Sequence, residues 1–392
     1  MIYLDTTSAC RSALNTGVRR MQRFLHERLR GRSDYCPVLW QTVLKRYCHV
    51  SLEDLKLLED SQEAKPMGMA RYDSFLPGLI TDLLELMRRK HGTLGWPGSI
   101  KEGDIILVPD LIWDNRASFF QKQFPAGAKK IGILHDVIPL VRPGQSLIDA
   151  ALCAHEVRSL AHFDGVICIS KSVRDDLLKC WRDMGIHPVP TRVIPWPLPF
   201  SGNRPDKGKE EAKPLLLYVA RLQKRKNHLS LLKACKMLWD QGHEFRLQLI
   251  GCKSYPMDTA RVIREIRSLQ HADYDLDWSV HVSEAELLTS YRDAAFTVYP
   301  SQAEGFGLPI LESLWHGKPV LCCAEGSVEE AVSGGGCLIV DGSDAGSLAV
   351  GIEKLLDRSF RKVFSEEARD RHFRTWEDYW REFEAFIADV RG

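Results

Sequence analysis

Short apolar segments alternate with amphipathic segments along most of the chain, which is typical of an α/β fold with parallel sheets. In the first half, short apolar runs predict strands at Ile2–Leu4, Ile105–Val108, Lys130–Leu134, Gly165–Ile169 and Arg192–Ile194. Apolar residues spaced three and four apart predict helices at Val18–Leu29, Tyr72–Arg89, Ser146–Ala161 and Lys171–Asp183. Residues 39–66 show neither period clearly, and no element is predicted there.

The alternation restarts in the second half, where a helix is predicted at Asn227–Asp240. About six strands are expected, at Leu215–Val219, Arg246–Ile250, Ser279–Val282, Phe296–Tyr299, Val320–Cys323 and Cys337–Val340. Between the two halves, the segment Pro195–Pro214 contains five prolines and two glycines, which is typical of a linker. A long surface loop within one domain is the alternative interpretation.

The length of 392 residues favours two domains, because a single hydrophobic core stops growing at roughly 250–300 residues. We therefore predict two doubly wound domains, residues 1–200 and 214–365, joined by a linker at 201–213. The tail, residues 366–392, is charged and carries an aromatic stripe at helical spacing, made of Trp376, Tyr379, Trp380, Phe383 and Phe386. Such a stripe predicts a terminal helix that packs back on the N-terminal domain.

Composition excludes several classes of protein. The net charge of +1 gives no argument for a nucleic-acid partner. The eleven cysteines are scattered and odd in number, so no disulfide framework is expected, and Cys322-Cys323 belongs to a predicted buried strand. Because no Cys/His cluster has zinc spacing, no metal is expected. The chain shows neither a signal peptide nor an apolar run of about 20 residues, so a cytoplasmic protein is expected.

The predicted helix Val18–Leu29 carries many arginines on its polar side. Its apolar stripe is most simply a core contact and its arginines a solvated face. A basic amphipathic helix can also lie on an anionic membrane, so peripheral contact with the inner face of the membrane stays open. The arginines of this segment are Arg19, Arg20, Arg23, Arg28, Arg30 and Arg32.

A basic turn follows the predicted strand Leu215–Val219, where the chain presents Arg221, Lys224, Arg225 and Lys226. Cations at the carboxyl end of a parallel strand are well placed to bind phosphate. Arg221 can hold two oxygens at once, and Lys226 can act as a point charge. A solvated turn is the alternative.

Two carboxylates, Glu304 and Glu312, bracket a Gly-Phe-Gly turn and a proline that can start a helix. Glycines allow a ligand to approach the backbone, and a helix N-terminus attracts anions. A nucleotide sugar would satisfy such a site with its diphosphate and its hydroxyls. A hydrolase acid/base pair is disfavoured, because both carboxylates belong to one helix-start motif and the basic turn would be unexplained.

The segments Ala220-Arg221-Leu222…Lys226-Asn227 and Glu304-Gly305-Phe306-Gly307…Glu312 resemble those of the family 4 glycosyltransferases. The resemblance is strong over residues 214–341, and His316–Leu321 and Gly326–Ala331 also match the family's pattern. It implies the GT-B fold, with two Rossmann-like domains that face a central cleft. It also implies transfer of a sugar from a nucleoside-diphosphate donor with retention of anomeric configuration, without a metal or other cofactor.

The resemblance also assigns roles by position. Arg221 and Lys226 would clamp the diphosphate, Glu304 would bind the hydroxyls of the transferred sugar, and Glu312 would bind the ribose. The backbone N–H groups of Phe306, Gly307 and Leu308 would donate to phosphate and sugar.

In the N-terminal half, His135 of the His135-Asp136 pair ends a predicted strand and would contact the donor sugar, a capping or core histidine being the alternative. Asp136 more simply orders the turn. Gly17 stands where the family has a glycine loop near the phosphates, and a plain helix start is the alternative. Trp113 lies on the expected acceptor side, where an indole can stack on a sugar or serve ordinary packing.

Two departures from the family pattern concern Ala220, which replaces a frequent glycine, and Gly251-Cys252-Lys253, which puts the base pocket in doubt. The similarity of the Thr16-Gly17 and His135-Asp136 segments to enzymes of surface-polysaccharide synthesis makes GDP-mannose the first expectation for the donor. The acceptor would be a glycan, and a lipid-linked one stays open. UDP- or dTDP-sugar donors, a phosphorylase or epimerase of the same fold, and a non-catalytic nucleotide-sugar-binding protein are the alternatives.

Overall fold

The computed structural model describes residues 1–11, 17–59, 100–142, 146–198, 204–205, 213–253, 256–342 and 344–392. They form two compact units, one made of Met1–Trp196 with Glu377–Gly392 and the other of Pro197–Trp376. The division thus falls at Trp196 and Trp376, whereas the predicted boundaries lie at residues 201–213 and 366. The predicted helix Tyr72–Arg89 and most of the predicted linker lie outside the described residues.

The first unit is built on a seven-stranded sheet with the order β3-β2-β1-β4-β5-β6-β7. Every pairing is parallel except that of β2 with β3. The strands are β1 (Ile2–Asp5), β2 (Tyr35–Gln41), β3 (Arg46–His49), β4 (Ile105–Val108), β5 (Lys129–Leu134), β6 (Gly165–Cys168) and β7 (Thr191–Val193).

Strands β2 and β3 form a hairpin that the apolar pattern does not predict. The first residues of β2 are only half-buried and include Pro37, so the strand lacks the continuous apolar run of β4 or β6. Edge strand β3 joins it through a turn in which Lys45 has a φ of 51°. The local sequence therefore gives only weak evidence for the two strands at this edge of the sheet.

Helices connect the strands of the first unit, and serine side chains begin two of them. Ser146 Oγ accepts from the N–H of Ile148 at 3.2 Å, and Ser170 Oγ accepts from the N–H of Val173 at 3.1 Å. The described helices are α1 (Thr7–Arg11), α2 (Gly17–Leu29), α3 (Leu52–Glu59), α4 (Arg116–Lys122), α5 (Ile138–Val141), α6 (Leu147–Leu160) and α7 (Lys171–Asp183).

The second unit contains a six-stranded, fully parallel sheet with the order β10-β9-β8-β11-β12-β13, as the pattern predicts. Its strands are β8 (Leu215–Val219), β9 (Arg246–Ile250), β10 (Leu276–Ser279), β11 (Phe296–Tyr299), β12 (Val320–Cys322) and β13 (Cys337–Ile339). Its helices are α8 (His228–Asp240), α9 (Pro256–His271), α10 (Glu284–Asp293), α11 (Leu308–Trp315), α12 (Ser327–Val332), α13 (Ala345–Leu356) and α14 (Arg358–Asp370).

The strand predicted at Ser279–Val282 was misplaced by three residues, since β10 spans Leu276–Ser279. Buried Leu276 pairs with Leu247 of β9 and sets the register of β10. Ser283 then begins α10 in a capping box with Glu286, so the chain has already left the sheet.

The C-terminal helix α15 (Trp376–Arg391) packs on the first unit, as its aromatic stripe predicts. Tyr379 and Phe383 are fully buried. The rings of Tyr379 and Phe24 pack in a T-shaped arrangement, with their centroids 6.1 Å apart. At Gly165 of β6, a Cβ atom would lie 2.7 Å from the ring of Phe386, so the absence of a side chain there admits the helix.

The basic helix α2 also belongs to this contact. Its residues Met21, Leu25 and Leu29 are buried, which makes the apolar stripe a core contact. Arg28 forms an ion pair with Glu377, at the start of α15. Arg30 pairs with Glu27 at 2.7 Å, so part of the positive charge is directed to carboxylates of the same unit.

All eleven cysteines are free thiols, and Cys322 lies in buried strand β12. Among the helices that the structure describes, each is too short or too polar to cross a bilayer.

Candidate functional site

The candidate site begins at the turn that follows β8. Residues Lys224–Lys226 form one turn of 3₁₀ helix, and Asn227 then takes a left-handed conformation with a φ of 55°. Asparagine tolerates this conformation better than most residues. Its Nδ2 donates to the carbonyl of Gly342 at 2.5 Å, and the N–H of buried Leu222 donates to the carbonyl of Cys252 at 2.9 Å. These bonds fix the turn on neighbouring loops.

A close approach between the segments that follow β8 and β9 explains why a glycine, Gly251, comes directly after β9. A Cβ atom at this position would lie 1.9 Å from the carbonyl oxygen of Ala220, which no side chain can share. The departure Gly251-Cys252-Lys253 from the family pattern therefore keeps the glycine that this contact requires.

Lys226 is buried, with only 8% of its surface exposed. Its ammonium forms an ion pair with Glu304 and donates to the hydroxyl of Tyr299 at 3.1 Å. The hydroxyl of Tyr218 in turn donates to the carbonyl of Lys226 at 2.6 Å, which holds the backbone beneath the side chain. Residues of β8, β11 and the loop after β11 thus position one cation.

Glu304 accepts from a second cation as well. Arg225 Nη1 donates to Glu304 Oε2 at 3.2 Å and to the carbonyl of Ala303 at 2.6 Å, and the hydroxyl of Ser301 also donates to the carboxylate. Burial alone would raise the pKa of Glu304, but Lys226 and Arg225 outweigh it and hold the pKa at about 2. The carboxylate is therefore ionised at neutral pH.

The arrangement carries an excess of positive charge, because two cations share one carboxylate. Arg221, three residues before Lys224, adds a third cation: it is exposed, and no side-chain partner for it occurs in the described part of the chain. Such a cluster at the carboxyl ends of parallel strands can attract a diphosphate.

Helix α11 begins directly beside this cluster. Gly307 is its N-cap residue, with a φ of 84°, and Pro309 stands in the first turn, where a proline costs no hydrogen bond. The first amides of a helix lack intrahelical partners, and the dipole there favours negative charge. Phe306, Gly307 and Leu308 lie at this helix start, and the phosphate and sugar contacts that the resemblance assigns to their amides stay a prediction.

Glu312 lies one turn further along α11 and is only 4% exposed. The hydroxyl of Tyr291 donates to its Oε2 at 2.9 Å. The Tyr291 ring stacks on that of His316, with the ring centroids 5.4 Å apart. Burial lowers the pKa of His316 to about 4, so this histidine is neutral at pH 7. The two predicted carboxylates thus have different partners: Glu304 pairs with Arg225 and Lys226 of the basic turn, whereas Glu312 accepts from Tyr291.

His135 lies in the first unit, at the carboxyl end of β5, and is 6% exposed. Its Nε2 donates to the carbonyl of Pro109 at 2.9 Å, while Nδ1 has no hydrogen-bond partner among the described residues. Burial lowers the pKa of His135, so the ring is neutral with its proton on Nε2. Asp136 accepts from the N–H of Ile138 at 3.1 Å and so orders the turn, as predicted.

Gly17 is the first residue of α2, and the preceding residues 12–16 of the loop lie outside the described part. Gly17 and His135 belong to the first unit, whereas Arg221, Lys226, Glu304 and Glu312 belong to the second.

Sequence reasoning missed three residues that complete the environment of Glu304: Arg225, Tyr299 and Ser301. Arg225 was visible as part of the basic turn, but its partner lies 79 residues away. Within the described ranges, no group of three or more His, Cys, Asp or Glu residues is arranged to hold a metal ion.

The low pKa of Glu304 predicts a specific dependence of stability on pH. A carboxyl whose pKa is lower in the folded protein than in the unfolded chain stabilises the fold above about pH 4.3, and this contribution disappears as the pH falls toward 2. The free energy of unfolding of the wild type should therefore exceed that of Glu304→Gln at pH 6, and the difference should narrow between pH 5 and pH 3. Urea titrations at each pH measure it, and a difference that stays constant would contradict the ion pairs.

The second unit is similar to a known family of proteins. Residues 200–371 match the family described as "Glycosyl transferases group 1". The serotype-specific mannosyltransferase WbdA of Escherichia coli is 26% identical over 247 residues, a match that spans 57% of this chain and 30% of WbdA. The O-antigen chain mannosyltransferase B of Escherichia coli is 32% identical over 149 residues, covering 38% of each chain. The chain thus spans about a third of the length of these curated relatives.

Among solved structures, the sucrose-phosphate synthase of Thermosynechococcus elongatus superposes with a TM-score of 0.67 at 18% identity, covering 99% of this chain and 98% of the synthase. At this identity the likeness establishes the fold. The matched family segment contains the basic turn, Glu304 and the start of α11. Residues 200–371 therefore form a glycosyl transferases group 1 domain, and the chain has the two α/β domains of the GT-B fold.

Proposed function

We propose that the protein transfers a mannosyl residue from GDP-mannose to a hydroxyl of a glycan acceptor, with retention of anomeric configuration. The observation that carries this proposal is the carboxylate of Glu304, held ionised by Lys226 and Arg225 at the carboxyl ends of β8 and β11. A site that combines excess positive charge with a buried hydrogen-bond acceptor suits a ligand with both phosphates and hydroxyls.

The cations act on the leaving group. As the bond between the sugar and the diphosphate breaks, negative charge develops on the phosphate oxygens. Lys226 and Arg221, together with the first amides of α11, stabilise that charge without having to reorganise. Lys226 is especially suited, because Tyr299 and Glu304 already hold its ammonium in place.

The carboxylates orient the donor. An ionised carboxylate accepts hydrogen bonds from sugar hydroxyls, and those bonds are stronger than bonds between neutral groups. Glu304 binds the transferred sugar, and Glu312, held by Tyr291, binds the ribose. Binding energy from these parts of the donor is available to position the reacting carbon.

Retention follows from attack by the acceptor hydroxyl on the face that the leaving diphosphate occupies. The C–O bond to the acceptor forms as the C–O bond to the diphosphate breaks, and the leaving phosphate takes the acceptor proton. His135, neutral and with an unpaired Nδ1 among the described residues, contacts the donor sugar near the reacting carbon. Exclusion of water from the site suppresses hydrolysis of the donor.

The relatives support mannose, since WbdA and the O-antigen chain protein are both named mannosyltransferases. The acceptor is then a growing surface polysaccharide or another glycoconjugate, free or lipid-linked. UDP- and dTDP-sugars are the competing donors, and they differ from GDP-mannose in both the base and the sugar.

A panel of nucleotide sugars tests the proposal. GDP-mannose should raise the melting temperature more than GDP alone, UDP-glucose or a dTDP-sugar, because a ligand that binds only the folded protein stabilises it. With a mannoside acceptor, GDP should be released and NMR should show an α-linkage. Release of GDP with an inverted linkage would refute retention, and greater stabilisation by a UDP- or dTDP-sugar would refute GDP-mannose as donor.

The rival activities give different products in the same assay. Epimerisation without acceptor, or cleavage of a glycan that depends on phosphate, would identify an epimerase or a phosphorylase. Donor binding without turnover on any acceptor would identify a non-catalytic binding protein.

A further inference from the structure

The loop that follows β4, residues 109–115, is held at several points by side chains from other elements. We call it the β4 loop. Arg116, at the start of α4, donates from Nη2 to the carbonyl of Leu111 at 2.6 Å. From the β2 side, the indole of Trp40 donates to Asn115 Oδ1 at 2.8 Å. Connecting loops usually carry fewer such bonds, so these hydrogen bonds restrain the β4 loop more than is usual.

The same loop lies beside the residue proposed to contact the donor sugar. His135 donates to the carbonyl of Pro109, where the loop begins. Because β4 and β5 are neighbours, both segments leave the sheet at its carboxyl edge. Ligands of open α/β sheets bind at that edge.

Trp113 stands in the middle of the β4 loop and is half-buried. Its Nε1 donates to Glu156 Oε2 of α6 at 3.0 Å. Two other tryptophans of the same unit, Trp40 and Trp181, are fully buried in the core. Trp113 thus differs from them, because its indole N–H is anchored while the residue keeps part of its surface exposed to solvent.

Glu156 is only 2% exposed, and burial raises its pKa to about 8. Burying a carboxyl group is costly unless it is hydrogen-bonded. Its described partners belong to the β4 loop: the indole of Trp113 and the backbone of Ile112. The effect of this buried group is therefore to hold the indole in one orientation.

We propose that Trp113 is the platform on which a sugar ring of the acceptor stacks, and that Glu156 is the residue that positions it. The inference rests on the proposed function, because it assigns a glycan acceptor to this unit. The apolar face of a pyranose packs on an indole, and a ring already fixed by a hydrogen bond loses little conformational entropy when the sugar binds. Glu156 acts through the indole and does not touch the acceptor.

A binding experiment without donor tests the platform separately from catalysis. NMR titration with methyl glycosides of mono- and dimannose should show binding by the wild type. Trp113→Ala should weaken it about tenfold, as expected for the loss of roughly 1.4 kcal/mol of stacking. Trp113→Phe keeps an aromatic face but not the bond to Glu156, so its affinity should be intermediate. Trp380→Ala is the matched control, since this half-buried tryptophan lies on α15 of the same unit.

Variants of Glu156 separate positioning from folding. Glu156→Ala should weaken mannoside binding and raise the acceptor KM, whereas Glu156→Gln should restore both, because its amide oxygen accepts the same bond from Trp113. The donor KM and the slow hydrolysis of donor should stay unchanged in all four variants of Trp113 and Glu156, and melting temperatures report on folding. Equal mannoside affinity in wild type and Trp113→Ala, or no glycoside binding by the wild type, would overturn the inference. If the wild type bound mannosides but turned over no donor, the proposed function would be refuted instead.

Discussion

Glu304→Gln and Lys226→Met should each lower kcat by about 10²–10³-fold, the usual effect of removing one preorganised group that stabilises transition-state charge. Lys226→Met keeps the apolar stem of the side chain but removes the cation beside the leaving phosphate. Glu304→Gln removes the charged acceptor for the sugar hydroxyls and loosens Lys226 and Arg225 at the same time. Initial rates of GDP release with saturating donor and acceptor measure the effect.

Lys224→Ala provides the matched control for these variants. Lys224 is an exposed lysine of the same 3₁₀ turn, whereas the cations that the structure places on Glu304 are Arg225 and Lys226. Its kcat should remain within about twofold of the wild type, because surface charges contribute little. If Lys226→Met and Lys224→Ala had the same kcat, the assignment of the diphosphate clamp would be wrong. Circular dichroism of each variant confirms that the fold is retained.

Arg116→Leu should destabilise the first unit by about 3–5 kcal/mol, because it leaves buried carboxylates without their cation. Arg116 is 3% exposed and donates to Asp5 at 2.7 Å and to Asp114 at 2.9 Å, with Asp110 at 3.5 Å. Asp5 is fully buried at the end of β1, where Tyr47 also donates to it at 2.8 Å. The network joins β1, β3 and the β4 loop, so its loss affects the whole carboxyl edge of the sheet.

Urea unfolding followed by tryptophan fluorescence measures this change. Arg174→Leu is the control, since Arg174 is only partly buried and, among the ion pairs of the described residues, pairs with its neighbour Asp175 at 2.9 Å. That variant should change the free energy of unfolding by less than about 1 kcal/mol. Equal stabilities for the two variants would show that the buried network contributes nothing to the fold.

Strands buried on both faces were predictable from sequence, because a run such as Ile105–Val108 can hardly form anything else between polar turns. All four of its residues are buried. The hairpin β2–β3 escaped prediction, since an edge strand with Pro37 and a half-buried start lacks that signal. Strand β10 was misplaced by three residues, because its register depends on pairing with β9 and not on its own alternation.

In the candidate site, too, some features were predictable from sequence and others were not. The motif around Glu304 and the basic turn indicated a glycosyltransferase domain, which the family match over residues 200–371 confirms, because the spacing of its glycines, cations and carboxylates is recognisable in the sequence. The chemistry that the motif implies stays a prediction. The partners of each carboxylate were not predictable. Glu304 meets Arg225 and Lys226 because β8 and β11 are neighbours in the sheet, although 78 residues separate Lys226 from Glu304.

By itself, the sequence determined the two-domain α/β architecture and the terminal helix, because the hydrophobic period encodes them, and its local motifs predicted a nucleotide-sugar ligand. Tertiary structure alone decided which charges neutralise each other and which stay exposed. It placed Arg28 of α2 and Arg30, just after that helix, beside carboxylates. It also kept Arg221 exposed and fixed Trp113 on Glu156. The physical reason is that burial and Coulomb attraction depend on distance through space, and the order of strands in the sheet sets that distance.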